Sequence, residues 1–228
     1  MAILSSFHEA AHSQTMKTPS WLDLRAILEN PVVYNGFQAF LGASAARGRI
    51  IREYIPAIRG ARVLEVGCGP GTNIEYIHEG MEYVGCDLSE RYVRYAQTKY
   101  AGRGRFIHAA VGELHHLNLP PFDFVLASAL LHHLDDAQVN TLCREVNQLM
   151  TSEGSFIAIE SCFSPEQTAL ERWIITSDRG HYIRYTEDFE KLLRHEFSDV
   201  RSARFCGSPF NPRSSCVLRA RKAAAPQP

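Results

Sequence analysis

Five residues in a row, Gly67-Cys68-Gly69-Pro70-Gly71, follow the run Arg62-Val63-Leu64-Glu65-Val66, which reads as a buried strand with one carboxylate near its end. Only glycine combines a positive φ with the absence of a Cβ, so a strand feeding such a turn brings bare backbone against a ligand. The loop predicts a nucleotide-like cofactor. A carboxylate for the ribose hydroxyls is then expected at the end of the next strand. Asp87, in Tyr83-Val84-Gly85-Cys86-Asp87-Leu88-Ser89, stands twenty positions after Gly67, the separation of a Rossmann-like unit. Farther along, His132, His133 and His181 carry imidazoles, the side chains whose ordinary pKa suits proton transfer near neutral pH.

Two cofactor classes share that geometry. A dinucleotide fingerprint is G-x-G-x-x-G, but here Thr72 follows Gly71 and the glycines are spaced G-x-G-x-G. Glu65 also stands where a dinucleotide binder more often carries an apolar residue. With these residues the chain resembles the class I S-adenosylmethionine-dependent methyltransferases of the small-molecule type. Their first motif reads hydrophobic, Asp or Glu, hydrophobic, then Gly-x-Gly-x-Gly. The resemblance extends to Phe122-Asp123-Phe124-Val125 and Leu131-His132-His133-Leu134, which match the family's FD-x-V strand and the L-H-H-L segment after it. It implies S-adenosyl-L-methionine as cofactor and S-adenosyl-L-homocysteine as product. It also implies a cofactor site that draws on Glu65, Gly67, Cys68, Gly69, Asp87, Leu88, Val111 and Ser128. By the same resemblance Asp87 holds the ribose diol, Leu88 lies on the adenine ring and Tyr34 approaches the methionine carboxylate. As a residue, Tyr34 reads equally well as a core aromatic. Many members place an aspartate near position 110 for the adenine amino group, whereas this chain has Ala110-Val111, leaving backbone groups or Glu113 for that contact.

These residues need a scaffold. Strands are expected over 62–66, 81–87, 105–109, 122–129 and 155–161, with an antiparallel pair over 200–206 and 215–221 to close the sheet. Asn30-Pro31 reads as a helix start, cap then first-turn proline, and Ser89 as a helix cap. A crossover helix is expected over 71–79. Val139, Leu142, Cys143, Val146, Leu149 and Met150 form a helical stripe. Ser164-Pro165-Glu166-Gln167 reads as a capping box that opens a helix with Leu170, Trp173 and Ile174 on one face. The fold class is therefore α/β: a Rossmann-like, seven-stranded, mostly parallel sheet with helices on both faces and an N-terminal helical extension. In domain terms, 1–58 is the helical extension and 59–223 the methyltransferase-like domain. The resemblance implies a substrate-lid insertion at about 163–185.

Length and composition bound the rest. The 228 residues, 45% of them hydrophobic, suffice for one well-buried α/β domain. A net charge of −1 offers no global field for a polyanion, so nucleic acid is not expected as a partner. No stretch reaches the length of a membrane span. Six cysteines without a C-x-x-C pair, and no charged and apolar leader, lead to an expectation of free thiols in the cytoplasm. His8-Glu9-Ala10-Ala11-His12 matches the zinc-protease pattern H-E-x-x-H, but nothing around it reads as a protease scaffold, and no metal site is expected.

Under the resemblance, the function is methyl transfer to a small-molecule acceptor through O- or N-methylation, the acceptor being a natural product, a quinone precursor or a lipid-linked molecule. An oxygen acceptor needs help to lose its proton, and His132, His133 and His181 are the candidate bases. The alternative is a non-catalytic S-adenosylmethionine-binding module acting through a protein partner. Oligomeric state is not legible.

Overall fold

The computed structural model describes residues 43–176, 180–205 and 215–222. Tyr34, the histidines of the H-E-x-x-H match, the Asn30-Pro31 helix start and Cys206 lie outside them.

Five parallel strands form the heart of the sheet: β1 (Arg62–Val66), β2 (Glu82–Asp87), β3 (Arg105–His108), β4 (Phe122–Ser128) and β5 (Met150–Phe163). The sheet continues through β8 (Ser215–Arg221), antiparallel to both β5 and β7 (Asp199–Phe205), in the order β3-β2-β1-β4-β5-β8-β7. A two-residue strand, β6 (Arg184–Tyr185), pairs with the end of β5, so the described residues form eight strands rather than seven. β5 is buried continuously from Ser155 to Cys162 except at Ser161. That pattern belongs to a central strand covered on both faces.

The two covers have different sources. On one face α1 (Ala43–Tyr54) and α2 (Glu90–Lys99) bury Ile51, Val93 and Ala96 against Val63, Leu126 and Ile157. On the other, α3 (Asp136–Leu149) and α5 (Thr186–Leu193) bury Val139, Leu142, Val146, Phe189 and Leu193 against Leu64, Val125 and Phe156. Each fully buried Leu, Ile or Phe adds about 1.5–3 kcal/mol of hydrophobic stabilisation. Ser89 caps α2 by accepting from Tyr92 N at 3.4 Å, and Asp135 with Gln138 forms a capping box at α3.

Two expected helices differ. Residues 71–79 do not form an α-helix; the chain makes a five-residue 3₁₀ turn, Thr72–Tyr76, and is extended again at Ile77. Asn73 is drawn inward to bond Glu65, which tightens the turn and leaves no long helix dipole aimed at a ligand. The helix after β5, α4 (Ala169–Thr176), starts four residues later than Ser164-Pro165 suggests. Its capping pair is Thr168 and Glu171: Glu171 N donates to Thr168 Oγ1 at 3.2 Å and Thr168 N to Glu171 Oε2 at 2.7 Å.

The strand order reverses direction between β1 and β4. Open α/β sheets bind ligands beyond the carboxyl ends of the strands at such a point. The glycine loop leaves β1 and the His132 loop leaves β4 at that crevice.

Candidate active site

The glycine loop is held in place by the end of β2. Gly67 N and Cys68 N both donate to Cys86 O, at 2.8 and 3.0 Å. Gly69 N donates to Asp87 Oδ2 at 2.7 Å, and Ser89 N to Asp87 Oδ1 at 2.8 Å. Asp87 thus clamps the loop with one bond per oxygen and keeps a lone pair on each for a further donor. Burial raises its pKa, opposed by the Ser89 and Gly69 amides and by His108. Leu88, next to it, is a 72% exposed apolar side chain.

The loop glycines have distinct tasks. Gly67 and Gly71 sit at φ 71° and 76°, and a Cβ at either would lie within 3 Å of Leu130 or of Phe106 and Ala96. Gly69, at φ 53°, has nothing within 4 Å of its missing Cβ. That open face is where the loop can receive a ligand.

Two of the residues expected at the cofactor are buried on the side away from the open face of the loop. The Cys68 side chain is buried beneath the loop against Gly85, and burial pushes its thiol well above the usual range. Glu65 is 1% exposed and faces the core. One of its oxygens accepts from Tyr83 Oη, the other from Asn73 Nδ2 at 2.5 Å. The even spacing of a strand turns Glu65 toward the face that packs α1, so it braces the loop from below. Burial raises its pKa to about 7, with the Tyr83 and Asn73 bonds and the nearby Arg47 guanidinium pulling the other way. Arg47, on α1, keeps a buried Nε without a hydrogen-bond partner.

Val111 opens the 3₁₀ turn Val111–Leu117 and is half-buried; Ser128 ends β4, also half-buried. Glu113, one candidate for the adenine contact, is engaged locally: its Oε2 accepts from Ala110 N at 2.9 Å.

Beyond β4, Ala129 adopts φ 55°, uncommon for a residue with a side chain, and lifts the chain over the strand ends. There Glu160, from β5, organises the His132 turn. Its Oε1 accepts Leu130 N at 2.9 Å and Leu131 N at 2.8 Å, and its Oε2 lies 2.6 Å from His132 Nδ1. Glu160 and His132 are 1% and 2% exposed. A carboxylate only accepts, so the pairing assigns the neutral imidazole proton to Nδ1 and leaves Nε2 as the basic nitrogen. His133 is exposed, its ring 4.2 Å from that of His132. His181 is exposed in the segment crossing His132, where Tyr182 N donates to His132 O at 3.0 Å.

The sequence reading missed Glu160, Arg47 and Asn73. A carboxylate closing the apolar run Phe156-Ile157-Ala158-Ile159 was the available signal for Glu160, since a buried strand accepts a charge only with a specific partner.

Among the described residues no cluster could hold a metal ion, and no helix is long and apolar enough to cross a membrane.

Residues 63–154 match the methyltransferase domain family. The chain is 27% identical over 146 residues to a phosphoethanolamine N-methyltransferase of Triticum aestivum, 62% of this chain and 28% of that one. It spans under half the length of the first curated relatives it matches. A SAM-dependent methyltransferase from Archaeoglobus fulgidus superposes with TM-score 0.67 at 19% identity, covering 83% of this chain and 99% of the other. The N-methyltransferase NodS of Bradyrhizobium japonicum, solved with S-adenosyl-L-homocysteine, gives 0.60 at 16% identity over 78% and 87%. Residues 63–154 thus resemble a methyltransferase domain, and the chain shares the fold of solved S-adenosylmethionine-dependent methyltransferases.

Proposed function

We propose that the chain transfers a methyl group from S-adenosyl-L-methionine to a small-molecule acceptor, with His132 taking the acceptor's proton. The observation that carries the reading is the Asp87 clamp: a carboxylate bonded to Gly69 N and Ser89 N, beside an open glycine face and an exposed leucine.

The residues present suit the cofactor. Asp87 would hold the ribose hydroxyls on its remaining lone pairs, and Leu88 would lie on the adenine. Val111 and Ser128 would line the site, and Arg47 would supply its unpartnered donor to the methionine carboxylate. Bound there, the cofactor supplies an electrophilic methyl group on a sulfonium. The chain's part is position, and orienting two reactants is worth about 7–11 kcal/mol.

For an oxygen acceptor the proton must also leave. His132 Nε2 is the basic nitrogen by the Glu160 pairing, and the imidazolium that forms is stabilised by the same carboxylate. General-base help of this kind adds roughly 10²–10⁴-fold. The dyad favours O-methylation over N-methylation, because an amine attacks with its own lone pair. Nucleic acid is not part of this reading, since no global positive field is present.

The test is release of S-adenosyl-L-homocysteine from S-adenosyl-L-methionine across a panel of phenols, enols, carboxylic acids and amines. Turnover on an oxygen acceptor, reduced about 10²-fold or more in His132→Ala, supports the assignment. Cofactor binding without turnover on any acceptor, together with a stable complex in pull-down, would favour a partner-directed binding module instead.

A further inference from the structure

Arg184 satisfies every donor of its guanidinium within one small region. Nη1 donates to Leu131 O at 3.3 Å and Tyr182 O at 2.8 Å. Nη2 donates to Leu134 O at 2.9 Å and Asp136 Oδ1 at 2.6 Å, and Nε to Asp136 Oδ1 at 3.0 Å. Five N–H groups make five bonds to four acceptor oxygens, the full donor capacity of the fork. The side chain is 11% exposed, with its charged carbon 5.7 Å from the Tyr182 ring centroid and 5.5 Å from that of Phe189.

The acceptors belong to two segments. Leu131 and Leu134 bracket the 3₁₀ turn Leu131–His133, which carries His132, and Asp136 begins α3 behind it. Tyr182 belongs to the strap of residues 180–185 that crosses this turn. The strap lies directly on His132. A Cβ on Gly180 would stand 2.1 Å from His132 Cδ2 and 2.8 Å from His132 O. His132 is therefore gripped from two sides: Glu160 holds its Nδ1 from the sheet, while the strap takes its carbonyl and covers the ring edge.

We propose that Arg184 is the positioning residue that locks the strap onto the His132 turn, and that this docking holds the imidazole in line with Glu160. The part it plays in turnover rests on the methyltransferase reading; the coupling itself rests on geometry alone. Arginine is required for its shape as well as its charge. A lysine offers three donors from one point and cannot reach Leu131 O, Leu134 O, Tyr182 O and Asp136 together.

The test compares the wild type with Arg184→Lys, Arg184→Ala and Asp136→Ala. Three readouts are taken: the downfield imidazole N–H proton of His132 in NMR, identified by its loss in His132→Asn; the rate of His132 modification by diethylpyrocarbonate; and calorimetric affinity for S-adenosyl-L-homocysteine. In Arg184→Lys the downfield resonance is lost to exchange and modification quickens about tenfold or more, while affinity stays within about twofold. Asp136→Ala, which removes an exposed acceptor only, shows the same change in smaller measure. A resonance and a modification rate unchanged in folded Arg184→Lys and Asp136→Ala would overturn the proposal. A parallel collapse of S-adenosyl-L-homocysteine affinity would overturn it too, by assigning Arg184 to the general fold. Failure of the wild type to bind S-adenosyl-L-homocysteine would strike the functional reading and leave the imidazole readouts to decide the coupling.

Discussion

Leu130 fills the space where a side chain on Gly67 would stand: a Cβ there would lie 2.9 Å from Leu130 Cδ1. The contact joins the glycine loop after β1 to the loop after β4 that carries His132, so the two loops meet through one glycine. Gly67→Ala should therefore disturb both sides. It combines an L-residue at φ 71° with a clash, and an overall loss of about 1–3 kcal/mol is expected in chemical denaturation.

Gly69→Ala should behave differently. Nothing lies within 4 Å of its added methyl, so the cost to folding is confined to the left-handed backbone, roughly 1 kcal/mol. The methyl would enter the open face of the loop, and affinity for S-adenosyl-L-homocysteine should fall at least about tenfold, more than that stability loss explains. Calorimetry beside a urea melt separates the two effects. Unchanged affinity in Gly69→Ala would place the cofactor elsewhere.

Asp87→Ala removes the charge-assisted bonds expected to the ribose. A loss of about 1.5–3 kcal/mol in binding follows, roughly ten- to a hundredfold in Kd. The variant must be shown folded, because the same substitution releases Gly69 N and Ser89 N.

Glu65 gives a pH dependence of stability. Its folded pKa of about 7 exceeds the unfolded value near 4.5, so the folded state binds more protons between these limits. Stability contributed by this group is full below about pH 4.5, falls as pH rises, and levels off above about pH 7. At about 1.4 kcal/mol per pKa unit the span is at most roughly 3 kcal/mol. Glu65→Gln cannot ionise, and its amide can donate to Asn73 Oδ1, which has no partner in the wild type. Denaturation midpoints at pH 5 and pH 8 should differ less in Glu65→Gln than in the wild type. An equal difference in the two proteins would contradict the assignment.

Glu160→Gln tests the base. The amide oxygen can still accept from Leu130 N and Leu131 N, but its N–H₂ facing His132 Nδ1 favours the opposite tautomer. The proton then sits on Nε2, and turnover on an oxygen acceptor should fall about 10²-fold or more with little change in cofactor affinity. The double variant with His132→Ala should lose little beyond the worse single one, because the two residues act as a unit.

The sheet was legible because its constraints are local. Glycines at positive φ, a carboxylate at a strand end and apolar runs of strand length announce themselves within a few residues, and Asp87 and the glycine loop do lie together at the crevice. Residues that act across distance were hidden. Glu160 meets His132 from the neighbouring strand, and Arg184 reaches back nearly fifty positions to Asp136, which no periodicity encodes. The 71–79 helix was misread for a similar reason. Its residues permit a helix, but the tertiary bond from Asn73 to Glu65 holds a tighter turn. Cys68 lies within the motif, yet its orientation depends on Gly85, whose missing side chain leaves a pocket for the thiol.

The most direct measurement is calorimetric titration of the protein with S-adenosyl-L-homocysteine, with NAD in parallel. The Asp87 clamp and the open face at Gly69 predict micromolar binding of S-adenosyl-L-homocysteine, weakened in Asp87→Ala, and no binding of NAD. Binding of NAD alone, or of neither ligand, would contradict the methyltransferase reading at its base.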